Sequence, residues 1–343
     1  MKIGIVGDVH WSKYSSIVRS RGNVYSTRLE NCIESINWAE AIMTQSRCDL
    51  IVYLGDFFDK CDLNAEEITA LQELKFAKIP HVFLVGNHEM GLNNLDFSSA
   101  HIFNMSGVDK NTHFLVVDKP TPMHIEGVDL YFLPYILNDV NQHLEEYILP
   151  NTKPIVFSHN DIKGIQMGPI ISKVGFEIDD IEKHCKMFIN GHIHNGSKVS
   201  DKIINIGNLT GQNFSEDATK YKHSIYVLDT EDMSYEVFNN TKAFNFFKFD
   251  TTNNINDIKH YIENVSNPVV TAKVNEKDIS NYGWIKDYAV ASKIIIQPEI
   301  IHSNNTEVLD SLSINHLEKF REYIVNEIGN TDVVLKELEY ITK

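Results

Sequence analysis

Five short apolar runs share one grammar: each reads as a buried strand and breaks off in polar residues able to hold a metal. They are IGIVGDVH (3–10), LIVYLGDFFD (50–59), HVFLVGNHE (81–89), PIVFSHND (154–161) and MFINGHIH (187–194). Helical periodicity fills the gaps between the first three. Residues 28–45 place Leu29, Cys32, Ile33, Ile36, Ala39 and Met43 on one face, and Asn64 with Glu67 can cap a helix presenting Ile68, Leu71 and Leu74. Strand–helix alternation of this kind predicts an α/β core.

Further along, FLVVD (114–118), VDLYFLP (128–134), KIINIGN (202–208) and HSIYVLD (223–229) are strand-like with short turns, and are expected in a second sheet stacked on the first. The character changes near Thr241. Ile255, Ile258, Ile262 and Val265 suit one amphipathic helix, while VVTAKV (269–274) and YAVASKIIIQ (288–297) read as strands. From Ser313 onward Leu317, Phe320, Ile324 and Ile328 recur at helical spacing, Gly329 is a stop, and Leu335, Leu338 and Ile341 follow. These shifts predict a domain over 1–240, a small α+β domain over 241–310 and a helical segment over 311–343 that packs on its own chain or docks a partner.

Length and composition suit this plan: 343 residues and 43% hydrophobic content allow a large core. Asp8 interrupts the first apolar run too early for a signal-peptide core, and no stretch reaches the ~20 apolar residues of a membrane span, so a cytoplasmic location is expected. Cys32, Cys48, Cys61 and Cys185 form no C-x-x-C pair, which argues against a zinc-thiolate site or a disulfide framework. A formal charge of −16 argues against nonspecific adhesion to nucleic acid. Locally the balance reverses. Lys13, Arg19, Arg21 and Arg28 lie among Trp11, Tyr14 and Tyr25 with no acidic residue between 11 and 28, which reads either as a solvated loop or as a loop contacting a nucleic-acid strand.

The candidate chemistry sits at the five strand ends. In D-x-H on extended backbone, Asp8 and His10 project to one side and can share a cation. Asp56 has two carboxylate oxygens and can bridge two cations about 3.5–4 Å apart. Asn87 adds a carboxamide oxygen, and His159, His192 and His194 add imidazoles. Nitrogen and oxygen ligands without sulfur favour manganese, with iron or zinc next, over magnesium or calcium. Two cations sharing a hydroxide would give a nucleophile for in-line attack on phosphorus. Each motif alone recurs by chance; the ordered set behind five strands does not.

Over residues 3–211 the sequence resembles the calcineurin-like metallophosphoesterase superfamily. The resemblance implies a four-layer α/β/β/α sandwich, one metal on Asp8, His10, Asp56 and His194, and a second on Asp56, Asn87, His159 and His192. It also gives His88 the role of contacting the phosphate and protonating or steering the leaving oxygen, with Asp59 as its orienting partner or else a plain loop residue. Within the superfamily the chain looks most like the SbcD-type DNA double-strand-break repair nucleases, in particular phage recombination endonuclease subunits. The features are the long helix between DVH and GDFFD, the stretch GNLTGQNFSED (207–217), the appended domain and the C-terminal helices. That branch implies a manganese-dependent DNA exonuclease and endonuclease acting in recombination, repair or replication. It further implies a homodimer in the host cytoplasm, whose small domain recognises DNA and whose tail docks on an SMC-like coiled-coil ATPase. A small-molecule or protein phosphatase is the rival within the superfamily, although Lys60-Cys61 stands where protein phosphatases carry Arg-Gly.

Overall fold

Burial on both faces makes each apolar run a strand. The computed structural model describes residues 1–105, 113–137, 143–148, 152–167, 170–250 and 253–297. Its first half runs β1 (Lys2–Val6), α1 (Thr27–Gln45), β2 (Leu50–Tyr53), α2 (Ala65–Ala70), β3 (His81–Leu84), β4 (Met90–Gly91), β5 (Asn94–Ser98), β6 (Phe114–Val117), β7 (Thr121–Ile125), β8 (Val128–Leu133) and β9 (Ile155–Ser158). There follow β10 (Gln166–Met167), β11 (Ile170–Ile171), α3 (Ile178–His184), β12 (Met187–Asn190), β13 (Ser197–Lys198), β14 (Ile203–Asn205), β15 (Ser224–Asp229) and β16 (Tyr235–Asn239). The described chain closes with β17 (Asn245–Asp250), α4 (Ile255–Glu263), β18 (Pro268–Asn275), α5 (Ile285–Tyr288) and β19 (Ala291–Gln297).

Two six-stranded sheets dominate, ordered β16-β15-β1-β2-β3-β6 and β13-β14-β12-β9-β8-β7. Ile3, Ile5, Val52 and Leu84 of the first sheet meet Phe132, Phe157, Ile189 and Ile204 of the second in a core between them. Alternate residues face outward. Val6, Ile51, Tyr53 and Phe83 pack beneath Leu29, Cys32, Ile36 and Met43 of α1, while Val156, Phe188 and Ile203 pack beneath Ile181 of α3. Helix, sheet, sheet, helix is the four-layer order expected. Gly4 matters to it: a Cβ there would lie 2.7 Å from Met43 Sδ, so its absence lets α1 lie directly on β1.

The five motif runs divide three and two, with β1, β2 and β3 in the first sheet and β9 and β12 in the second. The later strands depart from expectation. β8 and β14 join the second sheet as anticipated, but β6 pairs with β3, and β15 inserts antiparallel against β1. A short apolar run carries no mark of which sheet it will join. Helix α1 begins where its pattern says, with Ser26 accepting from Leu29 N at 3.2 Å. Helix α2 has the Asn64/Glu67 capping box, yet Ile68 is exposed and Glu67 and Ala70 are the buried positions.

A third sheet, β17-β18-β19, carries α4 on one face through Phe247, Phe249, Val270, Ile258 and Ile262. Phe246 and Val269 instead pack with Phe244 and with Val18 from the loop after β1. Met1–Ile296 form one compact unit. The expected C-terminal helices and docking segment, 311–343, lie outside the described residues. No helix among the described residues is long and apolar enough to cross a membrane.

Candidate metal centre

Parallel strands bring their carboxyl ends to one edge, where loops are free to carry function. Asp8 and His10 follow β1, Asp56 follows β2, Asn87 follows β3, His159 follows β9, and His192 and His194 follow β12. All seven side chains meet. Asp8 Oδ2 lies 4.0 Å from His10 Nε2 and 3.8 Å from His194 Nε2, and those two ring nitrogens face each other at 2.8 Å. His159 Nε2 lies 3.1 Å from Asp56 Oδ2 and 3.2 Å from Asn87 Oδ1. The ligand atoms of Asp56, His159 and His192 fall within 4.8 Å of one another, as do those of Asp8, His10 and His194.

The donor set fits divalent cations on a direct test. Asp8 Oδ2 is buried without a hydrogen-bond partner among the described residues, a costly state for a carboxylate oxygen unless a cation takes it. Two imidazole nitrogens that converge at hydrogen-bond distance share one proton at most, whereas one cation satisfies both.

The backbone is bent to achieve this. His10, Asp56 and His192 have φ of 51°, 47° and 67°, the left-handed region that costs a non-glycine residue energy and recurs at functional sites. Buried asparagines brace the loops of the second sheet: Asn160 Nδ2 donates to Pro134 O at 2.9 Å, Asn190 Nδ2 to Asn160 O at 2.8 Å, and Asn205 Nδ2 to Ile193 O, beside His192, at 2.6 Å. Glu89 ties the GDFF and GNHE loops together, accepting from Phe58 N at 3.0 Å and Gly86 N at 2.8 Å. Burial, reinforced by the Asp56 carboxylate, pushes its carboxyl up to about 8.

His159 and His194 are held from behind by hydrogen bonds, as metal-binding imidazoles generally are, while His10 and His192 face a carboxylate without one. His159 Nδ1 donates to Leu54 O at 2.6 Å, His194 Nδ1 lies 3.1 Å from Glu216 Oε1, His10 Nδ1 lies 3.2 Å from Asp59 Oδ1, and His192 Nε2 lies 3.6 Å from Asp161 Oδ1. Burial opposes charge on His159, but the Asp56 carboxylate overrides it and raises the ring to about 9. Against the same opposition Glu216 raises His194. His10 is lowered, because its burial outweighs Asp59.

His88 lies at the rim, 41% exposed, with Nδ1 3.2 Å from the Asp59 carbonyl oxygen and 3.7 Å from its carboxylate. Contact with the Asp59 side chain raises it to about 9. Asp59 therefore faces both His88 and His10, the second of which the motif did not indicate. Burial opposes its charge, yet the His10 and His88 contacts hold it well below the carboxylate range. Sequence reasoning missed Glu216, Gln212 and Asp161. Gln212 and Glu216 lie in the stretch 207–217, noted for its resemblance and not for its acid, and Asp161 closes the run 154–161, where only His159 was singled out.

The four basic residues part company. Arg28 is fully buried, donating to Gly211 O at 2.7 Å, Val9 O at 3.0 Å and His10 O at 3.3 Å; it braces the D-x-H loop and offers no surface to a substrate. Trp11 is equally buried, with its indole N–H on Glu67 O at 3.1 Å, so it provides no stacking face. Lys13 and Arg21 both pair with Glu66, at 2.8 and 2.7 Å, and Arg19 is exposed. A sequence window cannot show an acid that returns from 66 to neutralise the loop.

Residues 1–196, which include all seven clustered candidate ligands, match the family model described as calcineurin-like phosphoesterase. The chain belongs to this family. Family membership and the carboxylate–imidazole clusters together support metal-dependent phosphoester hydrolysis with two divalent cations. Among solved structures, the crystal structure of TT1561 from Thermus thermophilus aligns at a TM-score of 0.40 and 11% identity, over 69% of this chain and 98% of that one. No curated relative matches the chain.

Proposed function

We propose that this phosphoesterase is a manganese-dependent DNA nuclease subunit that hydrolyses phosphodiesters. The observation that carries the substrate class is the shape of the ground beside the cluster. A recess of about 270 Å³ against Asp56, His88, His192 and His194 shares Asn195 and Ser215 with one of about 760 Å³ bordered by Lys198, Phe214, Tyr221 and Lys248. That recess in turn shares Lys220 and Lys248 with a third of about 480 Å³ reaching His260 and Tyr261 on α4. A track with lysines and aromatic rings suits a strand of linked phosphates and bases better than one small ester. Part of its charge is already matched, since Lys198 pairs with Asp201 at 2.8 Å and Lys220 with Asp217 at 3.1 Å.

Asp8, His10, Asp56 and His194 would hold one cation, and Asp56, Asn87, His159 and His192 the other. When bound, the cations supply Lewis acidity that neutralises phosphoryl oxygens and acidifies an attacking water. The chain's residues do the rest. His88, kept protonated by Asp59, gives its proton to the leaving oxygen as the phosphorus–oxygen bond breaks. Asp59 fixes the ring and keeps its own negative charge beside it.

The proposal extends to the sequence resemblance: a homodimer in the cytoplasm, recognition of DNA by the small domain, and a coiled-coil ATPase as partner. Incubation with Mn²⁺ and linear duplex DNA, beside phosphodiester and phosphomonoester dye substrates, tests it. DNA degradation with diester preference is expected. Intact DNA with monoester preference would make the chain a phosphatase of the same family.

A further inference from the structure

The two candidate cation sites are supported by different parts of the chain. His159 leans on the Leu54 carbonyl and His192 faces Asp161, both within 1–196. The other pair of imidazoles depends on one later segment. Glu216, 2% exposed, has Oε1 3.1 Å from His194 Nδ1 and accepts from Asn208 Nδ2 at 2.8 Å. Its carboxylate also accepts the Gln212 backbone N–H, at 3.0 Å to Oε2. The Gln212 side chain then donates through Nε2 to Asp59 Oδ1, the same oxygen that lies 3.2 Å from His10 Nδ1 and 3.7 Å from His88 Nδ1. The segment is itself anchored: Leu209 N donates to Asp8 O at 2.8 Å, and Gly211 O accepts from Arg28 at 2.7 Å.

We infer that Gln212 and Glu216 are positioning residues that hold the Asp8/His10/His194 side of the centre, and that they couple this side to His88 through Asp59. Glu216 fixes the His194 ring and, through the Gln212 backbone, the path of the loop. Gln212 holds the Asp59 carboxylate that lies against the His10 and His88 rings. Glu216 and Gln212 touch neither His159, His192 nor Asn87, so their loss falls first on this side; the two sides still meet at Asp56 and where Asp8 Oδ1 accepts from His192 N at 3.0 Å. Removing a carboxylate behind a metal-binding imidazole lowers metal affinity roughly 10–100-fold.

The inference rests on the two-cation reading of the cluster, and the experiment separates the two. Calorimetric titration of the metal-stripped full chain with Mn²⁺ is expected to show two equivalents for the wild type. Glu216→Ala should weaken one equivalent roughly 10–100-fold and leave the other at wild-type affinity. Glu216→Gln, which keeps an oxygen toward His194, should restore most of the loss. Gln212→Ala removes a half-buried side chain without emptying the core; it should weaken the same equivalent and also lower kcat more than it changes KM. Metal-free melting curves of the variants report folding. Two wild-type equivalents that fall together in Glu216→Ala, or that both persist unchanged, overturn the inference. A wild type that binds no Mn²⁺ overturns the two-cation reading and the inference with it.

Discussion

His10 Nε2 and His194 Nε2 approach to 2.8 Å beside a carboxylate oxygen of Asp8 that has no hydrogen-bond partner among the described residues. Those atoms come from two different sheets, so the arrangement is imposed by the sandwich and not by local sequence. Cation and proton compete for such nitrogens, and the competition has a pH signature.

His159 makes the sign explicit. Its folded pKa, about 9, lies above the ordinary 6.5, so without metal it contributes stability below about pH 6.5 that is lost as pH rises through about 9. Metal must displace that proton, so affinity rises over the same interval. Melting temperatures in EDTA should therefore fall between about pH 6.5 and 9, while the increment given by Mn²⁺ grows. An increment independent of pH would show that His159 is not a ligand.

His88→Ala should lower turnover by about 10²–10⁴-fold, the usual contribution of a positioned proton donor, and leave metal content unchanged. Asp8→Ala and His159→Ala should instead release or weaken a metal. Metal analysis beside kinetics distinguishes them; loss of metal from His88→Ala would move that residue into the ligand set.

Glu40 of α1 is buried beneath the first sheet and accepts from the Tyr53 hydroxyl at 2.5 Å and Ala77 N at 2.9 Å, with His81 Nε2 at 3.1 Å. Burial, and Glu40 beside it, push the Tyr53 hydroxyl well above its ordinary value, so it remains a donor. Glu40→Ala strands these groups in the core and should cost about 3–5 kcal/mol by urea denaturation. A loss under ~0.5 kcal/mol, typical of surface changes, would contradict this.

Thiol chemistry gives a test independent of the centre. Burial pushes Cys48 and Cys185 up to about 12 and raises Cys32, whereas Cys61 is exposed. Ellman's reagent should titrate one fast thiol in the native protein and four after denaturation. More than one fast thiol would show that the core around α1 or α3 opens readily.

The candidate ligands could be picked out because each follows a buried strand, and strand ends are marked by the same apolar-to-polar break. Sheet membership could not: β6 and β15 look like β8 and β14 in sequence, and only pairing separates them. Arg28 shows a second limit. Its neighbours suggest a basic surface loop, but it sits one residue into α1 with its guanidinium turned inward onto three carbonyls. Glu216 shows a third, since an acid far along the chain acquires meaning only when its loop returns to His194.

The insertion of β15 between β1 and β16 bears on biosynthesis. The first sheet joins strands begun at Lys2 to one ending at Asp229, so β1 lacks one neighbour until more than 220 further residues have been made. A nascent chain that has just finished the last candidate ligand, His194, still lacks that strand and Glu216. Pairings this distant are slow to close. Every candidate ligand is thus made before the strand that closes the sheet beside Asp8 and before the acid behind His194, so completion of the centre waits on chain synthesised after it.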